Sequence, residues 1–146
     1  MDLHFPEAPP SLDDYMEMIR LKTAALMGLS CQVGALMAGS TPEVQEKARI
    51  FGSLLGTAFQ LQDDVLGVWG EEAEMGKTAN DLDERKWGLP VVLAMEKDPR
   101  VAELLTSPLR SDSAIGYQAA TAELQSFLET LDIEVEARSQ PPGRTT

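Results

Sequence analysis

The 146-residue sequence has few of the features typical of secreted, membrane-spanning or nucleic-acid-binding proteins. Its one cysteine, Cys31, excludes an internal disulfide. Aromatic residues make up 5% of the chain, whereas leucine, alanine and methionine are plentiful, which favours helices over sheets. With 24 acidic and 12 basic residues, the net charge is −12, and no basic stripe is available to bind nucleic acid. The hydrophobic content of 43% is ordinary for a globular protein. The chain is long enough to form one core in one domain.

The first residues of the sequence predict no signal peptide. It begins Met-Asp-Leu-His, without the basic start of a signal peptide. The most apolar stretch, residues 23–39, is short and contains Ser30 and Gln32, which favours a buried helix over a transmembrane one. We therefore expect a cytoplasmic protein with no transmembrane segment.

Apolar residues recur at helical spacing and predict an all-α architecture. The first helix is expected over residues 12–38, between the N-cap Ser11 and Gly39. The second starts at Thr41-Pro42 and should end at about residue 66. The other predicted elements are an extended arm (1–10), a charged loop (70–86), two short helices (89–97 and 99–105), a turn (107–113) and a last helix (114–137). Residues 139–146 contain two prolines and a glycine and predict a disordered tail after a domain of residues 1–138.

Polar side chains interrupt the second predicted helix at Phe59-Gln60-Leu61-Gln62-Asp63-Asp64. Gln60, Asp63 and Asp64 stand at i, i+3 and i+4, so they share one helical face. The predicted helix end places both carboxylates in the last turn, where the helix dipole is also negative. This pattern indicates a bound cation. Mg²⁺ suits it, because Mg²⁺ commonly takes one or two carboxylates together with water and phosphate. A solvated helix end is the alternative interpretation.

Two lysines are candidates for binding a phosphate. Lys22 interrupts the apolar run of the first helix, where a lysine that snorkels to solvent is the commoner case. Gly76-Lys77 lies in the predicted charged loop, so Lys77 is either a phosphate clamp or an ordinary solvated side chain. Neither lysine by itself shows whether a phosphate binds here.

The order of these elements resembles the C-terminal half of the trans-prenyl diphosphate synthases. The resemblance extends from about residue 2 to residue 95. It rests on the following motifs in sequence: Tyr15 to Leu26 with Lys22-Thr23, Phe51-Gly52, Phe59 to Asp64, Gly76-Lys77, Asp81-Leu82, Lys86, and Leu89-Pro90-Val91-Val92. It implies an all-α fold that is half of an isoprenoid-synthase-type helical bundle.

The resemblance also implies an activity. In that family, Mg²⁺ held between two aspartate-rich motifs binds an allylic diphosphate, which ionises, and isopentenyl diphosphate attacks the resulting cation. By position, Asp63 and Asp64 are the implied metal ligands. Implied catalytic roles fall on Lys22, Thr23, Gln60, Asp63 and Asp64. Implied substrate contacts fall on Lys22, Phe59, Gln60, Lys77 and Lys86.

Three departures from the family pattern shape the functional hypothesis. Gly67 occupies the position of a third aspartate that is usual in the second motif, and Trp87 replaces a common second lysine after Lys86. The first aspartate-rich motif is absent. A two-chain synthase, in which a partner carries that motif, is the favoured hypothesis; a homo-oligomer and a truncated piece of a longer chain are the alternatives. A different functional class is a non-catalytic small subunit that binds a complete synthase and modulates its product length.

Overall fold

A computed structural model describes residues 9–70, 81–84, 86–106 and 114–140, and these ranges contain helices without any strand. The predicted all-α class is therefore confirmed. The helices are α1 (Leu12–Ile19), a π-helical stretch called here the π segment (Arg20–Ala24), α2 (Ala25–Met37), α3 (Pro42–Trp69), α4 (Leu89–Lys97), α5 (Arg100–Thr106), α6 (Ala114–Thr130) and α7 (Ile133–Ser139).

The helix starts and the first turn between helices form where the capping residues predict them. At Ser11 a capping box closes: the Asp14 N–H donates to Ser11 Oγ at 3.2 Å, and the Ser11 N–H donates to Asp14 Oδ2 at 3.0 Å. Thr41 Oγ1 accepts from the Val44 N–H, and proline follows at the first helical position. After α2, Gly39 adopts a φ of 72°, the left-handed conformation that favours glycine at a helix end.

Helix α3 ends later than predicted, which corrects one argument about the carboxylates. The helix continues through Gly67 to Trp69, and the Gly70 N–H donates to the Leu66 carbonyl at 2.7 Å. Asp63 and Asp64 therefore do not lie in the last turn. Because the helix dipole acts mainly within the terminal turn, it is not what makes this position costly for a negative charge.

Two further predicted helices are divided. The first predicted helix contains the π segment, in which the Ala25 N–H donates to the Arg20 carbonyl five residues back. The last one breaks at Asp132, whose φ of 54° is left-handed, and this residue separates α6 from α7. Ser139 belongs to α7, so the predicted tail began too early. The predicted arm (1–8), most of the charged loop (71–80 and 85), the turn (107–113) and residues 141–146 lie outside the described residues.

The hydrophobic core lies at one end of the helical assembly. It joins α1, the second half of α3, and helices α4 to α7, and α4 is buried along the whole of Leu89 to Ala94. Its largest fully buried side chains are Tyr15, Ile19, Val65, Leu89, Val91, Val92, Leu93, Val101, Leu105, Leu124, Leu128 and Ile133. This end of the molecule therefore has a complete core.

Among the described residues, the other end of the helical assembly has no comparable core. Helix α2 packs against α3, yet only Gly28 of α2 is buried. The apolar residues that recur at helical spacing in the first predicted helix are thus buried in α1 but exposed in α2. We call the following exposed side chains the apolar surface: Leu21, Leu26, Leu29, Val33, Leu36, Met37, Val44, Ile50, Phe51, Leu54, Leu55 and Phe59. Among the described helices, none is long and apolar enough to cross a membrane.

Glycines allow α2 and α3 to cross closely. A Cβ atom on Gly52 would lie 2.5 Å from the Met27 carbonyl oxygen and 2.8 Å from Cys31 Sγ. On the facing helix, a Cβ on Gly28 would meet Ser53 Oγ. The two backbones therefore approach each other more closely than any side chain at these positions allows.

We predict that Gly52→Ala destabilises the chain by about 1–3 kcal/mol, because the added methyl group overpacks this crossing. Urea unfolding of the full chain measures the effect. Gly34→Ala is the matched control. It lies on α2 with nothing within 4 Å of the added carbon, so it should stabilise the helix by up to about 1 kcal/mol. Equal effects of the two substitutions would contradict the close crossing.

Candidate functional site

Asp64 joins three helices at the edge of the core. Its side chain is 9% exposed. Its Oδ2 atom accepts hydrogen bonds from the Tyr15 hydroxyl and from the Leu89 backbone N–H, each at 2.8 Å, and its Oδ1 atom accepts from Gln60 Nε2 at 2.9 Å. A buried charge without partners is costly. Three donors from α1, α3 and the start of α4 offset that cost.

Burial sets the protonation behaviour of this group. Desolvation raises the pKa of Asp64 above its ordinary value, while the hydrogen bonds from Leu89, Gln60 and Tyr15 act in the opposite direction. Burial, together with the neighbouring Asp64 charge, raises the pKa of Tyr15 far above its usual range. The Tyr15 hydroxyl therefore keeps its proton and acts as the donor.

The hydrogen bonds continue from Asp64 to the π segment. Thr23, which is half-buried in that segment, donates its hydroxyl to Gln60 Oε1 at 3.0 Å. The structure thus brings together Thr23, Gln60 and Asp64, three of the predicted site residues. A π turn shifts the helix register locally, and such turns are frequent at functional sites.

Asp63 differs from its neighbour. Its side chain is exposed, whereas Asp64 is buried. The structure therefore separates the two predicted metal ligands: one carboxylate faces solvent and the other is held by protein donors. The assignment of both as ligands stays a prediction.

Gly67, the position of the absent third aspartate, lies against a carboxylate from the next segment. A Cβ atom on Gly67 would collide with the Asp81 side chain, and the Asp81 N–H donates to the Gly67 carbonyl at 3.1 Å. Lys86 Nζ lies 2.7 Å from Asp81 Oδ1 and 2.7 Å from Glu84 Oε2. Partial burial lowers the pKa of Lys86, but the hydrogen bonds with Asp81 and Glu84 raise it further, and the net result is above its ordinary value. Asp81 therefore fills the space that a third aspartate would need.

We predict that restoring the usual motif with Gly67→Asp destabilises the chain by about 1–3 kcal/mol, because the new side chain overlaps that of Asp81. Urea unfolding measures the cost. A double-mutant cycle with Asp81→Ala should reduce it, since the two positions are in contact. Gly34→Asp, which enters open space, is the control. An unchanged stability of the Gly67→Asp variant would contradict the proposed overlap.

The remaining predicted residues lie around this group. Phe59 is exposed and belongs to the apolar surface. Lys22 is exposed on the π segment, and Lys86 is exposed while paired with its two carboxylates. Lys77 lies outside the described residues.

Sequence reasoning missed three contributors: Tyr15, the Leu89 N–H and the contact of Asp81 with Gly67. A signal existed for Tyr15, because a tyrosine on a buried helical stripe usually needs a partner for its hydroxyl. Its partner is 49 residues away, so the pairing itself is a tertiary feature.

The donor set of the described part of the chain suits a partial metal site. Within it, no group of three or more His, Cys, Asp or Glu side chains is arranged to hold a metal ion. Mg²⁺, however, often binds through one or two carboxylates and takes its other ligands from water and substrate phosphate. The exposed carboxylate of Asp63 fits that limited role.

Comparisons with known proteins agree on one family. The family model described as polyprenyl synthetase matches residues 1–124. The geranylgeranyl diphosphate synthase of Mycobacterium tuberculosis is 40% identical over 120 residues, which cover 82% of this chain and 32% of that protein. Component 2 of the heptaprenyl diphosphate synthase of Geobacillus stearothermophilus is 35% identical over 121 residues, which cover 82% and 35%.

A solved structure of a geranylgeranyl pyrophosphate synthase superposes with a TM-score of 0.77 at 27% sequence identity. The match covers 91% of this chain and 42% of that protein. The chain spans about a third of the length of the curated relatives that it matches.

Proposed function

Because the chain belongs to the polyprenyl synthetase family, we propose that it is one subunit of a two-chain prenyl diphosphate synthase. It would contribute the second aspartate-rich motif to the condensation of an allylic diphosphate with isopentenyl diphosphate. A second protein chain would contribute the first motif. The observation that carries this proposal is the apolar surface on the π segment, α2 and α3, because α3 also holds Phe59, Gln60 and Asp63.

An exposed apolar surface of this extent usually marks an interface. A partner that packs on it would bury side chains such as Leu26 and Phe51 and would exclude water next to Phe59. The name of the Geobacillus relative, a component 2, supports an assembly of more than one component. A second copy of this chain is the competing occupant, and it would leave the first motif missing.

Loss of the diphosphate requires its developing negative charge to be neutralised. Mg²⁺, bound through Asp63 and the substrate phosphates, would stabilise the charge that develops on the departing diphosphate. Lys22 and Lys77 would add positive charge at the same group. Lys86 would do so only by sharing its ammonium group with Asp81 and Glu84, its present partners.

The allylic cation requires electron-rich oxygen atoms and apolar surroundings. The oxygen atoms of Thr23 and Gln60 are the negative ends of local dipoles and would face the developing positive charge. The apolar surface, once covered by the partner, would wall a dry chamber around that cation. Phe59 would lie beside the isopentenyl group.

The second candidate function is a non-catalytic subunit that modulates a complete synthase. It is favoured by Gly67, which stands where the family pattern usually has a third aspartate and lies against the Asp81 side chain. The two proposals differ in what the partner can do alone. In the catalytic proposal, neither chain incorporates labelled isopentenyl diphosphate by itself, and the mixture does so when Mg²⁺ is present. If the partner alone condenses substrates and this chain merely changes the product length, the regulatory function is correct.

A further inference from the structure

We propose that Asp64 is a positioning residue: it sets the direction of a hydrogen-bond relay that orients Gln60 and Thr23, and it does not bind the metal. The relay comprises the contacts from Tyr15 and Leu89 to Asp64, from Gln60 to Asp64, and from Thr23 to Gln60. Its catalytic meaning rests on the proposed function, whereas its geometry does not.

The contacts of Asp64 leave it badly placed to bind a metal. Two donors occupy Oδ2 and one occupies Oδ1, and the residue is 9% exposed. A metal ion could bind Oδ2 only by displacing Tyr15 or the Leu89 N–H, and Oδ1 keeps one lone pair beside its contact with Gln60 in a residue that is largely buried. Each displaced donor would become a buried polar group without a partner. Asp63, one residue earlier, offers an exposed carboxylate at no such cost.

The chemistry of the groups fixes the direction of the relay. A carboxylate only accepts hydrogen bonds, so Gln60 must turn its NH₂ group towards Asp64. The Gln60 carbonyl oxygen then points to Thr23, and the Thr23 hydroxyl must donate to it. As a result, two oxygen atoms with unused lone pairs lie where the π segment meets α3.

Two buried anchors keep Asp64 in place. Tyr15 is 1% exposed in the core on α1. The Leu89 N–H belongs to the first turn of α4, and all residues of that turn are buried. Both donate to the same oxygen, Oδ2, so the carboxylate cannot rotate without breaking two bonds. The orientation of Gln60 is thus tied to the packing of the core.

Asp64→Asn tests this inference because it keeps the shape and reverses the relay. The introduced amide must use its oxygen for Tyr15 and Leu89, so its NH₂ group faces Gln60. Gln60 must then flip and present its own NH₂ group to Thr23. In NMR spectra of the full chain, we expect a strong NOE between the Gln60 side-chain amide protons and the Thr23 side chain, stronger than in the wild type.

Metal binding supplies the second measurement. Mn²⁺ with inorganic diphosphate is titrated into the full chain, and the paramagnetic broadening is followed. We expect Asp64→Asn to keep the apparent affinity within about twofold, and Asp63→Asn to weaken it at least about tenfold, since a lost charged ligand contact costs about 1.5–3 kcal/mol. In the active complex, Asp64→Asn should lower kcat at least about tenfold with an unchanged Mg²⁺ requirement, by loss of oriented dipoles.

Thr23→Val provides a second variant, which removes the hydroxyl of a half-buried residue and keeps a side chain of similar size. If Asp64 sets the direction, the Gln60 amide protons keep their hydrogen bond to Asp64 in this variant. The proposal is overturned if Thr23→Val releases the Gln60 amide, if Asp64→Asn leaves the NOE pattern unchanged, or if Asp64→Asn weakens metal binding as much as Asp63→Asn. The NMR result is obtained without any prenyl-transfer assay, so an inactive complex would count against the proposed function alone.

Discussion

Replacing Asp63 with alanine is expected to lower the rate of prenyl transfer by the two-chain complex at least about 100-fold. Asp63 is the exposed carboxylate of the motif, and its neighbour Asp64 is already committed to three protein donors. In the proposed function, removal of Asp63 would leave this chain without an exposed carboxylate in the motif to bind the metal. Steady-state rates over a range of Mg²⁺ concentrations measure the effect, and the Mg²⁺ requirement should rise.

Asp13→Ala is the matched control for this experiment. Asp13 is likewise an exposed carboxylate, but it lies in the first turn of α1. Its removal should cost at most about 1 kcal/mol of stability through the helix dipole and should leave the rate unchanged. If the Asp63→Ala complex retains the wild-type rate, Asp63 is not a metal ligand.

The second large effect concerns the apolar surface. Phe51→Asp is expected to weaken binding of the partner chain at least about 30-fold, because a buried aromatic anchor typically contributes 2 kcal/mol or more. Phe51 is 63% exposed in this chain, so the substitution should change the stability of the chain alone by no more than about 0.5 kcal/mol. Calorimetric titration of the two chains and urea unfolding of this chain give the two values.

Val135→Asp tests whether the partner binds specifically to the apolar surface or to any exposed apolar side chain. Val135 is 71% exposed on α7 and is not part of the apolar surface. The same change of charge at that position should leave the affinity for the partner unaltered. Equal losses at Phe51 and Val135 would show that the apolar surface is not the binding site.

Local features of the fold were predictable because they depend on neighbouring residues. The capping box at Ser11, proline after Thr41 and the left-handed Gly39 set element boundaries within a few residues. The π segment and the left-handed Asp132 were not predictable, since neither has a distinct residue pattern. Helix α3 passes through Gly67 because tertiary packing outweighs the low helix propensity of glycine.

The candidate site was predictable only in part for the same reason. Spacing placed Gln60, Asp63 and Asp64 close together, but it could not show that Asp64 faces the core. That depends on Tyr15 and Leu89, which are 49 and 25 residues away. The close approach of the Asp81 side chain to Gly67 likewise joins two separate segments, so spacing in the sequence could not predict it.

A hybrid enzyme tests most directly whether this chain supplies a working half of a synthase site. Residues 1–124 replace the matching region of the geranylgeranyl diphosphate synthase of Mycobacterium tuberculosis, to which this chain is 40% identical. We predict Mg²⁺-dependent incorporation of labelled isopentenyl diphosphate by the hybrid, and we expect Asp63→Ala to abolish it. A hybrid that unfolds at the temperature of its parent but incorporates no label would contradict it.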